Sequence, residues 1–113
     1  MVRTPQDVFA AHAAAVASGD VELVLQDYSE DAVLLTVDGP IRGRDALSKF
    51  FTSVLSALPG VEFVLGASVF SGDALLLTWS ATSASTRIDD AVDTINFRDG
   101  MITLQTTVFP LTT

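Results

Sequence analysis

Hydrophobic positions in the first part of the chain recur three or four residues apart, which is the spacing of an amphipathic helix. The stripe of Phe9, His12 and Val16 predicts a first helix, and Gly19 ends it. Asp20 is a natural N-cap for a second, short helix. We therefore expect His12 to point into the core, or into a hollow beside it.

A strand and a third helix follow. The aliphatic and β-branched run Ala32–Val37 predicts a strand, and Asp38–Pro40 has the composition of a turn. A third helix is predicted after Gly43, and Pro59 stops it. The inward-facing positions of this helix are Leu47, Phe50, Phe51, Val54 and Leu58.

After Gly60 the periodicity changes from helical to extended. Four strands are predicted, over Val61–Phe70, Ala74–Thr86, Ala91–Phe97 and Met101–Pro110. Helices followed by a run of strands are typical of a segregated α+β fold. We expect one domain, residues 1–113, in which a cone-shaped, curved antiparallel sheet wraps around three helices from the N-terminal half (a cystatin-like α+β barrel). The wide end of such a cone contains a hollow that can bind a ligand.

The composition adds several exclusions. The chain has 113 residues and no cysteine, so disulfides, thiolate zinc sites and cysteine nucleophiles are excluded. The formal net charge of −8 argues against a nucleic-acid partner. No uncharged run reaches the ~20 residues of a membrane span, and the N-terminus does not resemble a signal peptide. We therefore expect a cytoplasmic domain whose apolar excess lies in a core, a cavity or an interface.

Four short segments follow one another in a recognisable order: Ala14–Asp20, Tyr28–Val33, Asp38–Leu47 and Val92–Ile102. Together they resemble the nuclear transport factor 2-like superfamily, in particular its SnoaL-like and ketosteroid-isomerase-like branch. The resemblance spans residues 6 to 109 and implies the cone-shaped fold. It implies no single function, because the superfamily includes isomerases, cyclases, hydrolases and non-catalytic proteins.

Two titratable residues are candidates for chemistry in the hollow. His12 matches a position where the isomerase-like branch has a tyrosine that donates to the substrate oxygen, and a histidine can also exchange a proton near neutral pH. Asp93 matches an acid that burial keeps protonated, so that it can donate to a developing enolate. Alternatively, His12 is a core histidine with a polar partner, and Asp93 is a rim carboxylate paired with Arg87 or Arg98.

The residue that shuttles the proton in the isomerase branch is replaced in this chain. The resemblance implies an aspartate at the end of the first strand, where the chain has Thr36, which has no usable basicity. Asp38 reaches the mouth of the hollow only if the strand continues, and we favour its assignment to the turn. Any proton transfer would then use His12 and Asp93, directly or through a water held between them.

The rest of the hollow is predicted to be an apolar wall. One histidine and no cysteine cannot form a multi-histidine metal site, and no glycine-rich phosphate loop occurs, so we expect neither metal nor cofactor. The Ser- and Thr-rich faces of the last strands suit a partly wet interface, and the resemblance implies a homodimer through the sheet. The expected substrate-binding residues are Phe9, Val16, Tyr28, Thr36, Phe51, Leu55, Phe63, Trp79, Ile95 and Thr106.

Three functions are compatible with these residues. The first is an isomerase or cyclase that acts by proton transfer on a small hydrophobic carbonyl, steroid- or polyketide-like compound. The second is a non-catalytic ligand-binding protein, which the threonine at position 36 favours. The third is an interaction module whose hollow is filled by its own side chains. A hollow too small for a ligand would favour this function over the other two.

Overall fold

A computed structural model describes residues 2–112 of the chain. The helices are α1 (Pro5–Ser18), α2 (Val21–Leu25) and α3 (Gly43–Ser56). The strands are β1 (Tyr28–Thr36), β2 (Gly39–Arg42), β3 (Glu62–Ser71), β4 (Ala74–Thr82), β5 (Arg87–Arg98), β6 (Met101–Val108) and β7 (Leu111–Thr112). The predicted α+β class with three helices in the N-terminal half is therefore confirmed.

All of these strands belong to one sheet, in the order β2-β1-β6-β5-β4-β3, and β7 pairs with β5. The long strands β3 to β6 are antiparallel neighbours, as predicted. The pair of β1 and β6 is parallel, which is possible because α3 and four strands separate them along the chain. Since β2 and β3 lie at opposite ends of this order, the sheet curves without closing into a barrel.

The first two helices begin where their capping residues are. Thr4 accepts a hydrogen bond from the Asp7 backbone N–H (3.1 Å), and the Asp7 carboxylate accepts one from the Thr4 N–H (3.3 Å), which forms a capping box. Gly19 ends α1 in the left-handed region, at φ 76°. The Asp20 side chain then caps α2 by accepting from the N–H groups of two residues in its first turn.

Several strand boundaries differ from the prediction. β1 begins at Tyr28 rather than Ala32, and the region read as a turn contains the short strand β2, in which Pro40 lies opposite Leu35 on the edge of the sheet. β4 ends at Thr82 and β5 begins at Arg87, so the turn between them is formed four residues earlier than predicted. The Ser83 hydroxyl accepts a hydrogen bond from the Thr86 N–H (3.1 Å), three residues later, which closes the turn there.

The concave face of the sheet carries the main core. α1 and α3 pack on this face, and the fully buried side chains include Val8, Tyr28, Leu47, Ile95 and Ile102. A smaller cluster around Leu58 and Ile88 fills the space beyond the end of α3. Among residues 2–112, no helix is long and apolar enough to cross a membrane.

A bulge in β3 depends on a glycine. The register between β3 and β4 shifts between Leu65 and Ser68, and the Ala67 N–H donates to the Thr78 hydroxyl (2.8 Å). A Cβ at Gly66 would clash with that hydroxyl and lie 3.2 Å from the Thr78 carbonyl oxygen. Only a residue without a side chain therefore fits at this point of the bulge.

We expect Gly66→Ala to lower the free energy of unfolding by about 1–3 kcal/mol, because the added methyl group forces β3 away from β4. The cost should be smaller in a Thr78→Ala background, where the clashing oxygen is absent. Urea unfolding measures both, and Ser68→Ala, an exposed change in the same strand, is the control. Equal costs in the two backgrounds would contradict this account of the bulge.

Candidate functional site

The concave face leaves a cavity of about 110 Å³ between α1, α3 and strands β3 to β6. The polar residues in its wall are His12, Trp79, Asp93, Gln105 and Thr107, and every other lining residue is apolar. An apolar cavity of roughly 150 Å³ is enough to bind benzene, so this volume corresponds to about one small ring. Leu65 lines the cavity and is 50% exposed, which places the mouth beside β3.

The Asp93 carboxylate lies at the polar end of the cavity and is only 7% exposed. Its Oδ1 atom accepts hydrogen bonds from Trp79 Nε1 (3.1 Å) and Thr107 Oγ1 (2.6 Å), and its Oδ2 atom accepts one from Gln105 Nε2 (2.9 Å). The donors lie on β4 and β6, the two neighbours of β5. Three donors satisfy most of the acceptor positions of a buried carboxylate and suit its ionised form.

A second layer of hydrogen bonding fixes the Gln105 amide. The Tyr28 hydroxyl donates to Gln105 Oε1 (2.5 Å), so the amide nitrogen is turned towards Asp93. Burial raises the pKa of Tyr28 well above 10, and the charges of Asp93 and Asp27 act in the same direction. Tyr28 therefore keeps its proton and remains a donor to the amide. The geometry makes Asp93 an acceptor, which differs from the donating role that the family resemblance implies.

His12 lies on α1, lines the same cavity and is 6% exposed. Its ring packs edge-on against Tyr28 and Phe51, with centroids 5.5 and 6.5 Å apart. Its Nδ1 atom is buried and has no hydrogen-bond partner among the residues that the structure describes. Burial lowers the pKa of His12 below 6.5, against the opposing attraction of Asp27 and Asp93, so the ring is neutral near neutral pH.

The structure brings most of the predicted site residues to the cavity. Neither predicted arginine partner of Asp93 contacts it: Arg87 pairs with Asp89 (2.8 Å), and Arg98 lies beside Asp99 (4.0 Å). Among residues 2–112, the His12 Nδ1 atom also lacks the polar partner that the alternative interpretation required. The predicted residues that line the cavity are Phe9, His12, Val16, Phe51, Leu55, Phe63, Trp79 and Asp93.

Two predicted lining residues lie behind the wall. Tyr28 and Ile95 are completely buried in the core rather than exposed to the cavity. Tyr28 contributes through Gln105, and Ile95 contributes packing alone. The parity of a strand identifies the inward face but not the depth at which a side chain is covered by its neighbours.

Thr36 lies outside the cavity, at the end of β1 where the chain turns into β2. Its hydroxyl donates to the Gly39 carbonyl (3.0 Å) and accepts from the Asp38 N–H (3.1 Å). Asp38 is exposed in the same turn, as the favoured interpretation had it. The position that matches the proton-shuttling aspartate is therefore occupied by a residue that stabilises a turn.

Thr106 was assigned to the wrong face of β6. Its hydroxyl is 2.6 Å from that of Thr94 on the outer face of the sheet, while Gln105 and Thr107 point inward. The alternation along β6 puts both of these residues on one face with Phe109, and that face contains no titratable group. The aromatic Phe109 among polar residues was the only signal that this face lines the cavity.

A family model for the SnoaL-like domain matches residues 9–105, which is most of the chain. The chain belongs to the SnoaL-like family. No curated protein matches it. The region of the family match contains both His12 and Asp93.

Solved structures support the assignment at the level of the fold. SalBIII, an epoxide hydrolase/cyclase-like enzyme in pyran ring formation in the polyether salinomycin, has a TM-score of 0.82 at 20% identity, over 94% of this chain and 90% of that one. A candidate ketosteroid isomerase from Kribbella flavida DSM 17836 has a TM-score of 0.78 at 15% identity, over 96% and 79%. A de novo designed protein with a curved β-sheet has a TM-score of 0.79 at 14% identity, over 94% and 84%. At these identities the similarity shows the fold alone.

The two adjacent threonines of β6 test the Asp93 network. Thr107→Val should lower the free energy of unfolding of this SnoaL-like protein by about 1–3 kcal/mol, because it removes a donor from a buried carboxylate without changing the volume. Thr106→Val is the matched control on the outer face, where water can replace the lost partner, so its cost should be smaller. Urea unfolding measures both variants. Equal losses of unfolding free energy in the two variants would contradict the expected difference between the inner and outer faces of β6.

Proposed function

We propose that this SnoaL-like protein binds a small, largely apolar molecule in its cavity and transfers a proton within it, giving isomerisation or ring closure. The observation that carries the proposal is the position of a neutral, unpaired imidazole and a buried carboxylate in an otherwise apolar wall. His12 is the proposed base. Asp93 is the proposed carboxylate that stabilises the imidazolium.

The size of the cavity limits the ligand. A volume of about 110 Å³ takes a single ring, whereas drug-sized ligands occupy sites of roughly 300–1,000 Å³. A larger polyketide- or steroid-like molecule would place one ring inside and extend through the mouth beside Leu65. The same volume argues against a hollow that is completely filled by the protein's own side chains.

The proposed chemistry starts with neutral His12 as the base. A C–H bond next to a carbonyl group, or an O–H bond, breaks. Its proton moves to the imidazole, and the electron pair stays on the substrate. The imidazolium is favoured by the negative charges of Asp27 and Asp93. When the proton returns to another atom of the same molecule, the product has the same composition as the substrate, so the net reaction is an isomerisation. The cyclase and isomerase assignments of the two structural relatives support this reaction class.

Binding without turnover is the second candidate function. It is favoured by Thr36, which replaces the usual base, and by the fact that Trp79, Gln105 and Thr107 already donate to Asp93. A developing oxyanion would have to compete with Asp93 for these donors.

A β,γ-unsaturated cyclohexenone is a suitable probe, because its isomerisation to the conjugated ketone is followed by ultraviolet absorbance. We expect turnover by the unmodified protein and a rate about 10²–10⁴-fold lower in His12→Gln, which keeps the volume but removes the base. Thr106→Val, outside the cavity, should keep the rate. Binding of saturated cyclohexanone, reported by the NMR signal of the single tryptophan, should survive in His12→Gln.

The outcomes of this experiment separate the two candidates. Binding of cyclohexanone without turnover of the unsaturated ketone would favour the second candidate. A protein that neither binds nor isomerises these ring ketones would contradict the proposal.

We also propose that two copies pair through the outer face of the sheet. This outer patch lies on β4 to β6 and consists of five uncharged residues: Leu76, Val92, Thr94, Leu104 and Val108. In a chain of net charge −8, an uncharged patch is the surface on which two copies meet with the least repulsion. A two-fold axis would place each patch against its own copy.

Sedimentation velocity tests the homodimer. The unmodified protein should sediment as a dimer, and Val92→Glu should give a monomer, because the two-fold axis brings two buried carboxylates into the interface. Val37→Glu is the control, since Val37 is 81% exposed on the turn between β1 and β2, outside the patch. A monomeric unmodified protein, or a dimer that Val92→Glu leaves intact, would contradict the proposed interface.

A further inference from the structure

A second buried carboxylate, Asp27, lies outside the cavity that Asp93 lines. Asp27 comes between α2 and β1 and is only 4% exposed. Its backbone is held on both sides: its N–H donates to the Val24 carbonyl (3.3 Å), and its carbonyl accepts from the Ile102 N–H (2.7 Å). Asp27 is not part of the cavity wall. A buried carboxylate outside a binding cavity calls for a physical explanation.

Arg3 holds the Asp27 carboxylate in place. Its Nη1 atom donates to Asp27 Oδ1 (3.0 Å), and its Nη2 atom donates to the Gly100 carbonyl in the turn between β5 and β6 (2.9 Å). The guanidinium is therefore fixed at two points, and an arginine stays charged at every accessible pH. This contact gives the buried carboxylate a permanent cationic partner.

Asp27 is connected to the His12 ring by the residue next to it in the chain. Tyr28 follows it directly in the chain, and the Tyr28 ring packs edge-on against the imidazole. The negative charge of Asp27 opposes the effect of burial and raises the pKa of His12, more strongly than that of Asp93 does. The Asp93 charge that acts on His12 lies in the cavity wall, whereas the Asp27 charge lies in the segment that leads into β1.

We propose that Asp27 is a positioning residue that stabilises protonated His12 from outside the cavity. The two carboxylates differ in whether a ligand in the cavity can reach them. Asp93 lines the cavity, where a ligand displaces water and can contact it, whereas Asp27 is reached by no ligand there. Its contribution to the proton affinity of His12 is therefore present whether the cavity is empty or filled. The inference rests on the proposed role of His12 as a base.

The charged and titratable groups linked to His12, directly or through one neighbouring residue, come from five parts of the chain. They are Arg3 before α1, Asp27 before β1, Tyr28 on β1, Arg44 on α3 and Asp93 on β5. Arg44 donates to the Tyr28 carbonyl through Nη2 (2.7 Å) and Nε (3.2 Å), and Tyr28 keeps its proton. Because both arginines stay charged and Tyr28 keeps its proton, the charges of these three groups do not change between acid and neutral pH.

The experiment follows the single histidine by NMR as the pH is varied. In the unmodified protein the His12 midpoint should lie below 6.5, because burial disfavours the charged ring. Asp27→Asn keeps an acceptor for Arg3 but removes the charge, so the midpoint should move further down. Asp99→Asn is the matched control: it removes one charge from the exposed turn next to Gly100 and should leave the midpoint unchanged.

The downward shift of the His12 midpoint has a consequence for the pH dependence of the rate. His12 must be neutral to act as a base, so the acid limb of the pH–rate profile with the unsaturated ketone should move down in Asp27→Asn by the same amount as the NMR midpoint. If the midpoint falls but no variant shows turnover, the proposed function fails and the role of Asp27 stands. An unchanged midpoint in Asp27→Asn, or an equal shift in Asp99→Asn, would overturn the role of Asp27.

Asp27→Ser provides a second route if the asparagine variant does not fold. It removes the same charge and leaves a hydroxyl that can accept from Arg3. The midpoint of His12 should again move down relative to the unmodified protein, and a midpoint that stays in place would overturn the proposal.

Discussion

Burial of the Asp93 carboxylate is the constraint on which the site depends. An ionised carboxylate loses its water when it is covered, and it is tolerated only where donors replace that water. Trp79 on β4 and both Gln105 and Thr107 on β6 supply them. Because these donors come from both neighbours of β5, a slip in either register would leave the charge uncompensated. The charge thus fixes the three central strands relative to one another and creates one polar point in an apolar cavity.

The proton affinity of His12 also depends on what surrounds its ring. Its ring is covered by aromatic side chains and lies among carboxylates, so burial and charge act on its proton affinity in opposite directions. A histidine balanced in this way stays neutral and can accept a proton from a bound molecule. The SnoaL-like fold alone does not supply this property, since a designed protein with a curved sheet has a similar backbone at 14% identity. The chemistry depends on the side chains in the cavity.

The two main site residues could be predicted because each has a clear local signal. His12 is on the apolar stripe of a well-capped helix, and Asp93 interrupts the apolar face of a strand. The hydrogen-bond partners had no such signal. Gln105 and Thr107 are ordinary polar residues until the pairing of β5 with β6 places them beside Asp93. Asp27 was overlooked for the same reason, because its burial depends on Arg3, which is 24 residues away in the chain.

The sequence by itself determined the helices, the order of the long strands and the inward direction of His12 and Asp93. These features depend on local spacing, on caps such as Thr4 and on residues that terminate helices, all of which act over a few positions. Only the tertiary structure decided the edge strand β2, the inward face of β6 and the partners of each buried charge. Those features depend on which strands become neighbours and in which register, and a shift of one residue reverses the face on which every side chain lies.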